Sequence, residues 1–327
     1  MPVYDRSYRR WDGELKRRAL RFVPIMSMGV KNALGMKGGW FFTLLLRTFM
    51  VVSLVPTLLL FFANYALAFR PDFLPLGFLG FLEELRPYRA IQYPLLTRLN
   101  ILFLMVYTVL FGSGLIAKDR ASGALPLYLS RPLTLADYVL GKVGIIGWFV
   151  AAFTLVPNLV LWLFGVLADD RAGAFHEALP LLGPIVAQNV TAIALYSLTI
   201  LAVSSLCRRP MFAGLIWFTI VVFLPTLTAG IGARLGSHAI PAASPNDALF
   251  ALGYDLFGVG ELYEQAHGPA RGDARFAIEG VFSFVNPFGK TPPGWCWASM
   301  AAWCSLSLAV LTTTLRRQEV VGDSGRR

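Results

Sequence analysis

Charged residues are scarce in this chain of 327 residues. They make up 15 % of it, whereas a soluble domain has about a quarter of its residues charged, and hydrophobic residues account for 56 %. This composition excludes a disordered chain, a collagen-like chain and almost every soluble enzyme of this length. It is typical of a protein that crosses a membrane several times.

The sequence also lacks the motifs of catalysis and nucleotide binding. A phosphate-binding loop needs Gly, four residues, and then Gly-Lys-Ser/Thr, but Phe284 stands where the first glycine of the string ending at Thr291 would have to be. Three histidines and three cysteines have none of the close spacings of a metal site or a disulfide framework. We therefore expect no enzyme activity, metal or cofactor in this chain, and ATP with Mg²⁺ to be held by a partner if transport is active.

Six uncharged apolar stretches are each long enough to cross a bilayer, which takes about 20 helical residues. None of them contains an ionisable residue, and such residues mark proton relays and ion pathways. The strongly polar side chains of the stretches are interpreted as contacts between helices. They are Asn64, Asn100, Asn158, Gln188 and Asn189. The pattern predicts an all-α polytopic membrane protein with a transmembrane domain at 48–315 and argues against an ion-coupled transporter. The predicted spans are 48–69, 99–117, 143–167, 181–206, 211–231 and 295–315. Pro210 is predicted to start the helix of the fifth span, because the first residue of a helix needs no N–H partner.

The distribution of basic residues predicts how these spans are oriented. The segments on one side hold 20 Lys and Arg against 7 Asp and Glu, and those on the other side hold 9 against 12. Because basic loops stay in the cytoplasm, both termini are predicted to be cytoplasmic. The basic residues are expected to contact anionic lipid rather than nucleic acid. The inside segments are 1–47, 118–142, 207–210 and the tail 316–327; the outside segments are 70–98, 168–180 and the long loop 232–294. Within that long loop a short helix is predicted at 246–257.

An amphipathic helix is predicted before the first span. Apolar residues recur three or four positions apart and basic residues occupy the other side, which indicates a helix lying in the membrane interface and bending near Pro24. Two interpretations are open, a plain basic anchor or an element with a mechanical role. The residues that define this helix are Trp11, Leu15, Arg17, Arg18 and Phe22.

The cytoplasmic loop 118–142 has more features than a connector needs. Ser122-Gly123 is a turn signal at the end of span two. Thr134 and Asp137 form a capping box that would start the helix of span three, with Lys142 extending to the membrane interface. A short apolar piece lies between these signals. The features leave two interpretations open, a docking element for another protein or a loop lying on the membrane.

This loop resembles the signature of ABC-2 type permeases, the membrane subunits of ABC exporters. The chain is similar in particular to the permeases of copper-enzyme maturation and gliding systems. The N-terminal helix, the six spans and the short hairpin at 207–210 fit the same layout. Matching residues run from Asp119 through Gly123, Leu125, Ser130-Arg131-Pro132 and Asp137-Tyr138 to Gly141-Lys142.

The resemblance implies a permease subunit of an ATP-driven exporter in the inner (cytoplasmic) membrane. Its partners would be two copies of an ABC ATP-binding subunit and a second permease protomer, in a homodimer or a heterodimer. Segment 122–131 would sit in a groove of the ATPase, with Arg131 against an acidic residue. The competing interpretation is a membrane scaffold or assembly factor of the same fold without transport. The candidate coupling residues are Asp119, Arg120, Ser122, Gly123, Leu125, Tyr128, Ser130, Arg131, Pro132, Asp137, Gly141 and Lys142.

Overall fold

The computed structural model of the chain describes residues 22–34, 40–69, 86–123, 134–169, 173–237, 239–261, 281 and 292–324. Within these ranges every regular element is a helix, and six helical segments are long and apolar enough to cross a membrane. The predicted all-α polytopic fold is confirmed. We number the segments as spans one to six: Arg47–Ala66, Arg89–Ala121, Leu135–Leu167, Ala174–Leu206, Pro210–Leu235 and Gly294–Arg317.

Spans one to five are each built from more than one helical piece, and span six is a single helix. A helix at Phe22–Leu34, the N-terminal helix, precedes them, and one at Pro245–Leu256, which we call the inserted helix, lies between spans five and six. The pieces of the spans are Trp40–Val52 and Val55–Phe69; Arg86–Ile91, Gln92–Leu99, Ile101–Gly112 and Gly114–Ala121; Leu135–Phe153 and Leu155–Leu167; Ala174–Ala178, Leu179–Leu181 and Leu182–Leu206; Pro210–Phe218, Thr219–Phe223 and Leu224–Leu235; and Pro293–Ser324.

The break in span three has a local cause and a distant partner. Pro157 has no N–H, so the carbonyl of Phe153, four residues earlier, loses the donor that a regular helix would supply. The side-chain amide of Asn100 in span two donates to that carbonyl at 3.1 Å. A buried carbonyl without a donor is destabilising in a membrane protein, so this bond is favoured. It holds span two and span three in a fixed position relative to each other.

The inserted helix is surrounded by the spans and does not lie on their surface. Most of its residues are buried, and it packs against spans four and six. Its first turn reaches Val221 and Tyr196, near the middle of spans five and four. Its other end stacks Phe257 on Tyr93, near the end of span two, with ring centroids 5.5 Å apart. The helix predicted at 246–257 is thus present, but it fills the bundle between the spans.

Aromatic side chains fill the centre of the bundle. Tyr107 stacks on Phe153 with ring centroids 4.4 Å apart, and Phe111 stacks on Phe149 at 4.1 Å. Trp217 of span five is fully buried beside them. Lipid tails are as apolar as these rings, so close packing rather than escape from water holds such spans together, and the polar contacts set their relative positions.

The helices of spans two and three are longer than the apolar stretches that predicted them. The helical segment of span two includes Arg98 at one end and Asp119 at the other, and span three begins before Lys142. The start of the helix before Lys142 agrees with the capping box predicted at Thr134, whereas the extension through Arg98 was not predicted. Hydropathy marks where the apolar run stops, but the helix continues where neighbouring spans provide partners for the charges.

Candidate coupling site at the loop between spans two and three

Both ends of the loop at 124–133 are fixed by helix caps. Span two ends at Ser122, and Gly123 follows with φ +66°, a left-handed conformation that glycine adopts without strain. At the other end the Asp137 amide donates to Thr134 Oγ1 at 3.1 Å, and the Thr134 amide donates to Asp137 Oδ2 at 3.2 Å. The predicted turn and capping box are therefore both confirmed.

A charged network joins the two sides of the loop. Oδ2 of Asp119, on span two, accepts a hydrogen bond from the Tyr138 hydroxyl at 2.8 Å and lies 2.8 Å from Nζ of Lys142. The ammonium group also donates to the Leu115 carbonyl at 2.9 Å. Lys142 is only 9 % exposed, so the prediction that it extends to the membrane interface was wrong. Charge-assisted bonds of this kind are stronger than neutral ones.

Span four holds the same end of span two. The chain breaks its helical run at Ser113 and restarts at Gly114, which leaves helix N–H groups without partners. The Ser204 hydroxyl accepts from the amides of Ile116 and Ala117 at 3.2 and 3.1 Å. It also donates to the Ser113 carbonyl at 2.8 Å. One serine of span four thus satisfies both sides of the break.

The candidate residue Arg120 strengthens this attachment. Its guanidinium group donates to the carbonyl of Ser205, next to Ser204 at the end of span four. The turn that follows is Cys207-Arg208-Arg209, and span five starts at Pro210 as predicted. Burial raises the pKa of the Cys207 thiol, against an opposing effect of Arg120, so this cysteine is neutral and acts as a small apolar side chain.

The N-terminal helix lies directly on the start of span three. Its half-buried or buried residues recur at helical spacing on one face, and glycines on both elements let the backbones approach. A Cβ on Gly141 would lie 2.8 Å from the Ile25 side chain, and one on Gly144 would lie 2.6 Å from Sδ of Met26. Conversely, a Cβ on Gly29 would meet Ile145 at 2.1 Å. Residues 22–34 are therefore packed against the protein and do not simply rest on lipid.

The sequence model of the family described as ABC-2 family transporter protein matches residues 30–289, which is more than half of the chain. The chain belongs to this family. No curated protein matches it. Members of the ABC-2 family are membrane subunits of ABC transporters, and they are not themselves the ATPase. The six-span architecture and the family together make this a multi-pass membrane protein.

In this ABC-2 subunit the structure brings together four of the candidate residues around one site. Asp119 and Lys142 form the ion pair, Arg120 holds span four, and Gly141 contacts the N-terminal helix. Ser122, Gly123 and Asp137 cap the two helices, and Phe22 is half-buried on the N-terminal helix. The other candidates lie outside the described residues: Leu125, Tyr128, Ser130, Arg131, Pro132, Trp11, Leu15, Arg17 and Arg18.

Sequence reasoning missed three parts of this ABC-2 site. Tyr138 and Lys142 are four residues apart, so they share a helix face, and this spacing could have marked them as joint partners of one carboxylate. Gly144, three residues after Gly141, extends a small-residue stripe that could have predicted a close helix contact. Ser204 has no such signal, because its role depends on the break in another span.

Proposed function

We propose that this chain is the permease subunit of an ATP-driven ABC-2 exporter. In this proposal, loop 118–142 receives the movement of a separate ATP-binding subunit that holds the ATP and Mg²⁺. The observation that carries the proposal is the Asp119–Lys142 ion pair with its Tyr138 hydrogen bond. Because the network joins span two to span three immediately behind the loop, a push on the loop moves both spans together.

The contacts around the site define a route for that movement. Span two is attached to span four through Ser204 and Arg120, and span three carries the N-terminal helix on Gly141. A displacement of the loop would therefore shift three spans and the N-terminal helix as one body. The work of the chain is a conformational cycle, and the bond chemistry takes place in the ATP-binding subunit.

The assembly in this proposal contains two permease protomers and two ATP-binding subunits in the cytoplasmic membrane. Closed two-fold symmetry is the usual arrangement of such complexes, and the second protomer is a copy of this chain or a similar permease. The excess of basic residues supports a cytoplasmic position of the loop and both termini. A cavity between the protomers would change shape as spans two and three tilt.

The experiment is a quantitative pull-down of ATP-binding subunits with the Arg131→Glu variant, from mild-detergent extracts of the native host. We expect association and vanadate-sensitive ATP hydrolysis to fall at least tenfold while membrane insertion stays unchanged, because the variant reverses a charge in the docking segment. The matched control is Arg271→Glu, the same change in the predicted exterior loop, which should leave association intact. Equal association of both variants would contradict the assignment of the docking segment.

The same preparation tests the competing function. A wild-type chain that co-purifies with a stoichiometric ATP-binding subunit and hydrolyses ATP supports the exporter. A clean preparation without a nucleotide-binding partner and without ATP hydrolysis would favour a membrane scaffold or assembly factor of the same fold. The Asp119–Lys142 network would then be a structural brace of the bundle.

A further inference from the structure

A layer of polar side chains divides the apolar interior of the chain into two parts. On one side lies a small buried cluster that includes Leu96, Leu161 and Ile185, which we call the minor cluster. On the other side lies the main cluster, which includes Leu104, Phe153 and Ala192. The residues between them, which we call the polar layer, are Thr97, Asn100, Asn158, Gln188 and Asn189, and each is at most 1 % exposed.

The helical spacing puts these residues at one level. Thr97 follows Leu96 on span two, Asn158 lies one turn before Leu161 on span three, and Asn189 lies one turn after Ile185 on span four. Spans two and four run antiparallel to span three. On each of the three spans the polar residue is therefore displaced from the minor cluster in the same direction. A direct contact agrees with this, because the Asn158 amide donates to Thr97 Oγ1 at 3.4 Å.

The hydrogen bonds of the layer fix which way its amides point. Nδ2 of Asn100 donates to the Phe153 carbonyl at 3.1 Å, and Nδ2 of Asn189 donates to the Ile185 carbonyl at 2.7 Å. The Thr97 hydroxyl donates to the Tyr93 carbonyl at 3.2 Å, so its oxygen can only accept from Asn158. In each of the three side chains the amide nitrogen therefore faces an acceptor. Flipping the amide, so that its oxygen and nitrogen change places, would lose that hydrogen bond.

The oxygen ends of these amides have no donor in the part of the chain that the structure describes. Among the described residues no N–H or O–H group bonds to Oδ1 of Asn100, Asn158 or Asn189, and neither end of the Gln188 amide has a partner. A buried acceptor without a donor is destabilising, and four polar side chains in this state at one level are unusual for a native interior. Their shared requirement is a small ligand that donates hydrogen bonds.

We propose that the polar layer binds water molecules inside a single protomer. A buried water typically makes about three hydrogen bonds to otherwise unpaired polar groups, which matches amide oxygens contributed by three spans. A cation fits less well, because all five side chains of the layer are neutral and none brings a negative charge to balance it.

The inserted helix closes one side of this site. Gln188 packs against the bare backbone of Gly253, where a Cβ would lie 2.2 Å from its Nε2. Water bound in the layer therefore lies between the spans and the inserted helix. All five residues of the polar layer are buried within one chain.

The first test uses radiolytic footprinting of the wild-type chain in nanodiscs, because internal water generates hydroxyl radicals where it is bound. We expect oxidation of Leu96 and Leu161 at least fivefold faster than oxidation of Leu201, although all three are at most 1 % exposed. Leu201 lies in the main cluster, away from the layer, and is the matched control. Equal, low oxidation of all three leucines would overturn the proposal.

The second test is a double-mutant cycle on unfolding of the full chain with Asn158→Leu and Asn189→Leu. No hydrogen bond joins these two residues within the described structure. If the two residues share water, each single variant lowers the free energy of unfolding. The unfolding equilibrium constant of the double variant then differs at least threefold from the value that the two single variants predict when their effects are added. Thr191→Val, on span four with a bond only to its own helix, should be additive with Asn158→Leu.

The remaining outcomes each decide the question. A dry layer predicts that both leucine variants raise stability additively, because each removes an unpaired oxygen, and this result would overturn the proposal. A bound cation predicts that wild-type stability rises with Na⁺ or K⁺ over choline at equal ionic strength, which would also overturn it. Equal stability in the three salts, together with non-additive losses, supports water.

Discussion

Asn246 donates a hydrogen bond of 2.8 Å to the Val221 carbonyl, and Pro225, four residues further along the chain, has no N–H to offer that carbonyl. The oxygen of the same side chain accepts from the Tyr196 hydroxyl at 2.8 Å. One amide at the start of the inserted helix therefore pairs two polar groups buried in spans four and five. Asn100 uses the same arrangement at Phe153, behind Pro157. In both places a carbonyl that lies four residues before a proline accepts a hydrogen bond from an asparagine of another element.

The first prediction follows from this pair of bonds. Asn246→Ala should reduce the stability of the chain by about 2–4 kcal/mol, because the Val221 carbonyl and the Tyr196 hydroxyl would both be buried without partners. Pro225→Ala in the same chain supplies a backbone N–H four residues after Val221 and should restore about 1 kcal/mol. Denaturant unfolding in detergent micelles measures both. Additive losses in the double variant would show that Pro225 does not set the need for Asn246.

A second prediction concerns the network behind the coupling loop. Asp119→Asn removes the charge that faces Lys142, whose side chain is 11 % exposed, and should cost about 3 kcal/mol of stability. Tyr138→Phe removes only one hydrogen bond to the carboxylate and should cost about half as much. The charge exchange Asp119→Lys with Lys142→Asp should recover part of the loss. Thermal unfolding provides the comparison, and equal stability of Asp119→Asn and wild type would contradict a paired site.

The ATPase readout of the same variants tests the proposed coupling apart from stability. At a temperature where Asp119→Asn remains folded, we expect the ATP-binding subunit to stay associated but transport-linked stimulation of its hydrolysis to fall severalfold. Tyr138→Phe should fall between this variant and wild type. Full stimulation in a folded Asp119→Asn complex would assign the network to stability alone.

The third prediction uses the glycines of span three. A Cβ at Gly141 would lie 2.8 Å from Cβ of Ile25 and 3.3 Å from the Phe22 carbonyl, and neither atom can move without the N-terminal helix. Gly141→Ala should therefore displace that helix and cost about 1–3 kcal/mol. Trypsin cleavage at the exposed Lys31, measured over time, should become faster.

Two glycines provide controls for this experiment. Gly144→Ala should be tolerated better, because the nearest atom is the flexible Met26 thioether. Gly165→Ala, in the same span with nothing within 4 Å of its Cβ, should be neutral or stabilising by up to about 1 kcal/mol. The order Gly141, Gly144, Gly165 is the result that supports the contact. Equal effects at all three positions would mean that helix propensity alone decides.

Local signals were sufficient to predict much of this fold. Five of the six apolar stretches fall within the observed spans, and the first overlaps span one but ends three residues beyond it. The capping box at Thr134 and the start of span five at Pro210 were both predicted. The inserted helix was predicted to within one residue at each end. All of these depend on residues near one another in the chain, where hydropathy, proline and capping side chains act directly.

Contacts between distant residues could not be predicted in the same way. Asp119 and Lys142 are separated by the whole loop, and nothing in the spacing specifies that they pair. Hydropathy placed the inserted helix in an exterior loop, because it averages over residues and does not register that Asn246 has partners inside the bundle. The four amides of the polar layer were each interpreted as a contact between helices. That they lie at the same depth in the bundle can be seen only once the three spans are packed together.

The last prediction concerns pH and Asp247, in the first turn of the inserted helix. Its Oδ2 accepts a hydrogen bond from the Ser244 hydroxyl at 2.8 Å. Burial raises the pKa of Asp247 from 3.8 to about 6, and the Ser244 hydrogen bond and the Arg98 charge oppose that rise only in part. The folded chain therefore keeps a proton that the unfolded chain releases. Stability from this group is full below pH 4, falls as pH rises to about 6, and is then constant.

Asp247→Asn should remove this part of the pH dependence, because an amide cannot ionise and can still accept from Ser244. Between pH 4 and pH 7 we expect the variant to lose about 3 kcal/mol less of its free energy of unfolding than the wild type loses. Burial also raises the pKa of Asp255 to about 6, so Asp255→Asn should reduce the same slope independently. Because both groups titrate over the same pH range, their contributions are separated by comparing the two single variants and the double variant, with unfolding measured at intervals of half a pH unit. A slope that Asp247→Asn leaves unchanged would mean that Arg98, facing it from span two, keeps the carboxylate ionised in the folded chain.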